Sequence, residues 1–163
     1  MIKIKKIILI STFFLIVGCG FEPIYSTKNI NSNYEFTINN IGFSGTNSVN
    51  KKLKNRLRNF INIEEKPIKY DLIIDSSTSK NITSKNQKGD AEMYFTEIVV
   101  KVDVLHNDSL KNKTTFKENF EYENKSNKYE LKKYEKTIEK NLVSKISEDI
   151  IKYLYSIKWL KKH

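Results

Sequence analysis

One cysteine, two histidines and a scatter of carboxylates carry whatever reactivity this 163-residue sequence has. His106 falls in an expected turn and His163 is the last residue; neither has cysteines or spaced acids beside it, so a zinc-type ligand spacing is missing. The serines lie in no Gly-x-Ser-x-Gly elbow, and none of the five glycines has the spacing that cradles a phosphate. Glu64-Glu65 and Glu148-Asp149 are adjacent pairs, which belong on a solvated face more often than they share a proton. The expectation is a protein that is not an enzyme and uses no metal and no cofactor. That leaves the cysteine.

Cys19 follows an ordered run of signals. Lys3, Lys5 and Lys6 precede residues 7–17, which are apolar except for Ser11 and Thr12, and Gly18 sits just before the cysteine. A positive head, a short apolar run and a small residue before a cut describe a secretory signal. The run is shorter than the roughly 20 apolar residues a spanning helix needs. Ile16-Val17-Gly18-Cys19 resembles a bacterial lipobox. On that reading residues 1–18 are removed, and Cys19 becomes the first residue and carries acyl chains such as palmitate. Each buried methylene contributes about 0.8 kcal/mol, so several chains on one residue hold a protein at a membrane. The sulphur becomes a thioether, and a lone cysteine has no internal disulfide partner. The alternatives are an ordinary secretory signal with an incidental cysteine, or an uncleaved anchor. Gly20 stands where, as the lipoprotein resemblance implies, an Asp tends to retain the protein at the inner membrane. The expected location is therefore the cell outer membrane, lipid-anchored on its periplasmic side.

The whole chain has 29 Lys and Arg against 19 Asp and Glu, a net charge of +10. Without Lys3, Lys5 and Lys6 the balance is 26 against 19, a net of +7. A basic surface favours an anionic partner. A secreted, anchored protein rarely meets nucleic acid, so none is expected as a partner, and anionic lipid is the natural candidate. The joint richness in Lys, Asn and Ile is also what a biased genome produces.

The elements that would position such a surface follow from periodicity. Residues 19–33 read as the lipidated cysteine and a polar tether, and residues 34–163 as a single α/β domain of a size that supports one core. Tyr34, Phe36 and Ile38 alternate as a strand that Gly42 and Gly45 should end. Thr46 or Asn47 can cap a helix with apolar positions Val49, Leu53, Leu57, Phe60 and Ile61, stopped by Pro67. A second strand spans 69–75 and fades into the polar run 76–88, with a turn at Gly89-Asp90. The strongest strand signal covers 92–105: Tyr94, Thr96, Ile98, Val100, Val102 and Val104 share one face, with Glu97, Lys101 and Asp103 on the other. After a turn at 106–109, Thr114, Phe116, Glu118, Phe120 and Tyr122 form a fourth strand. Leu131, Tyr134, Ile138, Leu142, Ile146, Ile150, Tyr153, Leu154 and Ile157 mark a long helix opened by Ser126 or Asn127. Trp159-Leu160, followed by Lys161-Lys162-His163, should close it against the core, the alternative being contact with a membrane surface.

The predicted order is β-α-β-β-β-α. A strand–helix–strand unit gives parallel neighbours and the hairpins give antiparallel ones. The expected fold class is α+β: a two-layer sandwich with one four-stranded mixed sheet and two helices on one face.

With these elements placed, the chain resembles the lipopolysaccharide-assembly lipoprotein family, LptE. The opening Gly18-Cys19-Gly20-Phe21-Glu22-Pro23-Ile24-Tyr25 is similar to the Gly-Cys-Gly-Phe-x-Pro-Leu-Tyr form of its alphaproteobacterial branch. Residues 48–59 resemble the family's basic first helix, and 89–94 leading into 98–105 its turn and third strand. Residues 116–122 and 131–154 resemble its last strand and long helix. The resemblance implies a non-enzymatic role: a plug inside the LptD β-barrel, which inserts lipopolysaccharide (LPS) into the outer leaflet, with LPS bound through basic residues near one end of the sheet. Lys85 and Lys88 match the family's basic loop, and Lys113 and Lys117 its second basic position. The loop's arginine is a lysine here, a point charge rather than a bidentate fork. The competing reading is another small periplasmic-facing lipoprotein adaptor that does not act on LPS.

Overall fold

The structure, a computed structural model, describes residues 34–63 and 66–159. Cys19, the signal peptide 1–18, the tether 19–33, Glu64-Glu65, the packing of Trp159-Leu160 and His163 lie outside the described residues. The described residues belong to one compact unit, Asn31–His163.

Four strands and two helices follow one another as β1 (Phe36–Gly45), α1 (Asn47–Leu57), β2 (Ile68–Lys85), β3 (Ala91–His106), β4 (Ser109–Glu123) and α2 (Lys128–Trp159). They form one sheet in the order β1-β2-β3-β4. β1 and β2 run parallel, from Phe36 opposite Ile68 to Gly45 opposite Ser76, and the other neighbours are antiparallel. This is the expected mixed sheet, with both helices on one face.

Alternation decides which face that is. Leu72, Ile74, Ile98, Val100, Val102 and Val104 are all buried and meet Val49, Leu53 and Leu57 of α1 and the stripe Leu142, Ile146, Ile150 and Leu154 of α2. Removing a side chain of this size from water contributes about 1.5–3 kcal/mol, so this one layer supplies most of the folding drive. α2 adds Val143 and Ile151 to the predicted stripe. Its start is fixed by Asn127, whose Oδ1 accepts hydrogen bonds from the backbone N–H of Tyr129 (2.9 Å) and Glu130 (3.3 Å).

Two turns follow from local chemistry. Asn107 and Asp108, both at positive φ, join β3 to β4 in the two-residue geometry that suits the twist of a hairpin. Between β2 and β3, Asn86 Oδ1 accepts from the N–H groups of Lys88 and Asp90 while Gly89 takes φ +86°.

The structure departs from the sequence reading in three places. β1 passes through Gly42 and ends only at Gly45, where φ is +86° and an added Cβ would lie 1.9 Å from the Ser76 carbonyl oxygen. No side chain fits there. β2 continues through the polar residues to Lys85, because Ser77–Ile82 pair in register with β3 from Val99 back to Tyr94. Pairing overrides weak local propensity. α1 stops at Leu57, and a 3-10 turn (Arg58–Phe60) leads into a segment that folds against β1. There Asn62 N–H donates to the Ile38 carbonyl (2.9 Å) and Ile63 N–H to Thr37 Oγ1 (2.9 Å), while Thr37 Oγ1 donates to the Phe60 carbonyl (3.1 Å). These bonds cover the outer edge of β1 and account for the burial of Thr37.

One buried polar contact pins α1 to the sheet. Asn50 Nδ2 donates to the Ser44 carbonyl (2.9 Å), and its Oδ1 accepts from Ser76 Oγ (2.7 Å). Hydrogen-bond partners this deep fix the register of helix on strands, since an orphaned group costs about 1–3 kcal/mol.

Candidate functional site

The four lysines singled out by resemblance occupy different places. Lys85 ends β2 and Lys88 sits in the turn after it, both exposed. No carboxylate among the described residues pairs with either. Lys113 and Lys117 project from β4 on the face away from the helices, where alternation aligns them with β3. Each is neutralised there: Lys113 Nζ lies 2.8 Å from Asp103, and Lys117 Nζ 2.6 Å from Glu97. Lys85 is opposite Ala91 on β3, whereas Lys113 is opposite Asp103, twelve residues along the same strand. At about 3.4 Å per residue the two sets are up to about 40 Å apart. The sheet does not gather them into one site.

The helix-free face is mixed in character. A recess of about 490 Å³ lies between Ile73, Asp75, Lys101, Asp103 and Lys113. Ile73 is 52% exposed at its edge. Asp75 accepts from Ser44 Oγ (2.9 Å), and Asp71 accepts from the side-chain amides of Asn39 (3.2 Å) and Asn40 (3.1 Å). Most of these charges are occupied within the sheet, so the face presents matched polarity rather than one sign.

Toward the Lys85 end, the helix-facing side carries an aromatic and charged cluster that sequence reasoning missed. Tyr122 Oη donates to Glu135 Oε1 (2.9 Å), and Lys80 also pairs with that oxygen. Lys80 Nζ lies 3.8 Å from the centre of the Tyr94 ring, Tyr94 and Tyr122 pack at 5.6 Å, and Lys125 sits over Tyr134 at 4.6 Å. Contacts of this kind stabilise a cation over an aromatic face. The even spacing of Tyr94 and Tyr122 signalled a shared face; Glu135 and Lys80 gave no sequence signal, because they meet only once α2 folds back. The β4–α2 connection joins the same end, since Asn124 N–H donates to the Glu92 carbonyl (2.8 Å) and its side chain to that of Ala91 (2.7 Å).

Burial, then the hydrogen bond and charge of Glu135, push the Tyr122 phenol well above its ordinary range, and burial raises Tyr70 and Tyr153 in the same direction. A group whose folded pKa is raised contributes stability that is complete below its unfolded value and lost as pH rises above it. The domain should therefore hold its stability up to about pH 10 and lose it steadily above. Urea unfolding at pH 8, 10 and 11 checks this, and Tyr122→Phe should flatten the alkaline fall.

Among the described residues, no group of three His, Cys, Asp or Glu side chains is placed to hold a metal ion, and no helix is long and apolar enough to cross a membrane. What this end of the domain can do chemically is present ammonium groups to an anion; phosphate and carboxylate are the fitting ligands.

No protein-family model and no curated protein matches the chain. Solved structures do. Rare lipoprotein B from Shewanella oneidensis is 16% identical, and the match covers 77% of this chain and 100% of that one with a TM-score of 0.59. A minor lipoprotein from Acinetobacter baumannii is 10% identical over 73% of this chain and 92% of its own, with a TM-score of 0.54. Lipoprotein B from Nitrosomonas europaea is 8% identical over 76% and 87%, with a TM-score of 0.50. At these identities what is shared is architecture: the chain has the fold of these bacterial lipoproteins.

Proposed function

We propose that this chain is a lipid-anchored envelope protein of the LPS-assembly type. Cys19 carries the acyl chains and fastens it to the periplasmic side of the outer membrane, and the domain works by fitting inside an LptD-like β-barrel that delivers LPS to the outer leaflet. The observation that carries the reading is the whole-length match of the Shewanella rare lipoprotein B fold to a chain whose residues 16–25 have a lipobox and the Gly-Cys-Gly-Phe-x-Pro opening. A small domain with one closed layer and one polar open face suits a barrel lumen, where polar wall meets polar surface.

Lys85 and Lys88 are the cations left to meet lipid A phosphates, because Lys113 and Lys117 already answer Asp103 and Glu97. Surface charge pairs of this kind are screened with a Debye length of about 8–10 Å at physiological salt, so the contact should weaken as salt rises. The double variant Lys85→Glu/Lys88→Glu should bind LPS about tenfold more weakly, a loss of about 1.4 kcal/mol. Lys113→Gln should change binding little. Equal binding by the double variant and the unmodified chain in low salt would remove the β2–β3 turn from the site.

A further inference from the structure

β2 outlasts its neighbour. β1 ends opposite Ser76 while β2 runs on to Lys85, so residues 77–85 have β3 on one side and, among the described residues, no strand on the other. Two hydrogen bonds fix which way the backbone groups point there. The Ser76 carbonyl points outward and accepts from the Thr46 N–H (2.9 Å), whereas the Ser79 carbonyl points inward and accepts from Thr96 Oγ1 on β3 (3.2 Å). Backbone groups alternate in direction along a strand. Thr78, Lys80 and Ile82 therefore turn both N–H and C=O to the open side, a repeat of about 6.8 Å. The helix layer does not close over this half. Leu72, Ile74 and Ser76 are buried beneath it, but Thr78, Lys80 and Ile82, on the same face, are exposed, Ile82 by 49%. The other two edges differ: Ile61 and Asn62 cover β1, and α2 packs along β4. From Ser76 to Lys88 the chain has three lysines, no carboxylate and no proline to guard the edge.

We propose that the β2 edge takes up an extended, acid-bearing segment of the barrel partner as an added strand, in line with β1 and beyond Gly45. The inference rests on the barrel reading for the owner of that segment. Outward N–H and C=O groups at a strand's own repeat are matched by a second extended backbone, the mode in which a peptide lengthens a sheet. A closed barrel wall has no free edge to offer, so the segment is a loop that reaches into the lumen. Gly45 and the start of α1 occupy the Ser76 end, and the register shifts begin after Ile82, which leaves residues 77–82, about 20 Å, for the overlap. Neighbours across a sheet share a face, so the residue beside Ile82 is apolar and covers its exposed side. The residue beside Lys80 is the acid. Lys80 Nζ already meets Glu135, but an ammonium has three donors. Lys85 and Lys88 lie past the shifts in register and still face phosphate.

The test is amide hydrogen exchange, read residue by residue, on the full-length chain alone in detergent and in the complex recovered from membranes. Alone, the N–H groups of Thr78, Lys80 and Ile82 should exchange much faster than those of Ser79 and Asn81, which point to β3. In the complex the first three should slow by about a hundredfold or more, and the other two should change little. Water in a barrel lumen leaves an open edge exchanging, so this pattern requires a bonded strand. Thr78→Pro removes an outward N–H, a change an edge tolerates, and should leave the far-ultraviolet spectrum unchanged while returning Lys80 and Ile82 to fast exchange. Thr78→Val should keep them protected. A complex that carries the barrel, yet exchanges at these amides as the free chain does, would overturn the added strand and leave the barrel reading standing. Recovery of the chain with no barrel would overturn both.

Discussion

Replacing Cys19 by Ser should empty the outer-membrane fraction of this protein. No other single change in the chain is expected to move it so far. The apolar run 7–17 is shorter than the roughly 20 residues a spanning helix needs, and among the described residues no helix is long and apolar enough to cross a membrane. On the proposed reading retention rests on acyl chains, whose methylenes contribute about 0.8 kcal/mol each; one chain gives only marginal binding and two or more give a stable anchor. Without the sulphur, abundance in that fraction should fall by about a hundredfold or more. Membrane fractionation with immunoblotting reads the result directly. Cys19→Ser protein that stays in the outer membrane at unmodified levels would show that the anchor lies elsewhere.

Val100→Asp should abolish folding, and Val99→Asp, one residue away, should be tolerated. Strand geometry sends neighbouring side chains to opposite faces. Val100 is 0% exposed and lies in the layer between sheet and helices, opposite Ser76 and Phe116. A carboxylate there would sit among the buried apolar side chains of the sheet and helices and must desolvate or take up a proton; breaking a core this way costs about 4 kcal/mol or more, against a total stability of about 5–15 kcal/mol. Val99 is half-buried on the open face, opposite Ser77 and Lys117, so a carboxylate there meets water and an ammonium group. Its cost should stay within about 1 kcal/mol. Urea unfolding of the two variants separates them. Equal destabilisation would mean that both faces of the sheet are core, and the two-layer arrangement would fail.

The difference between those two valines was legible in the sequence although Ile98-Val99-Val100 is a continuous apolar triplet, because the charged Glu97, Lys101 and Asp103 all fall at odd positions and assign Val99 to their face. The α2 stripe was legible too: steps of three and four persist from Leu131 to Ile157. The far half of β2 was not. Ser77, Thr78, Ser79, Asn81 and Thr83 carry no apolar pattern, and they extend only because β3 offers a long edge to pair with. The early stop of α1 was hidden too, since Phe60 and Ile61 continue the helical spacing while in fact they turn to cover β1. Asn50 gave no sign of its role; a polar residue on a basic helix reads as solvent-facing until Ser44 and Ser76 are brought to it. The basic residues were easy to see and hard to place. Lys113 and Lys117 stand out through the resemblance's second basic position, but period-two alternation puts each within reach of an acid on β3, a contact that only the register between strands fixes.

The fitting role and the anchor are tested together by recovering the native chain from membranes and determining its intact mass with whatever accompanies it. The predicted result is a polypeptide that begins at Cys19, heavier by its acyl groups, with no free thiol and with a large β-barrel in attendance. A chain that begins before that residue with a titratable thiol, or a correctly acylated one that brings no barrel, would contradict the account.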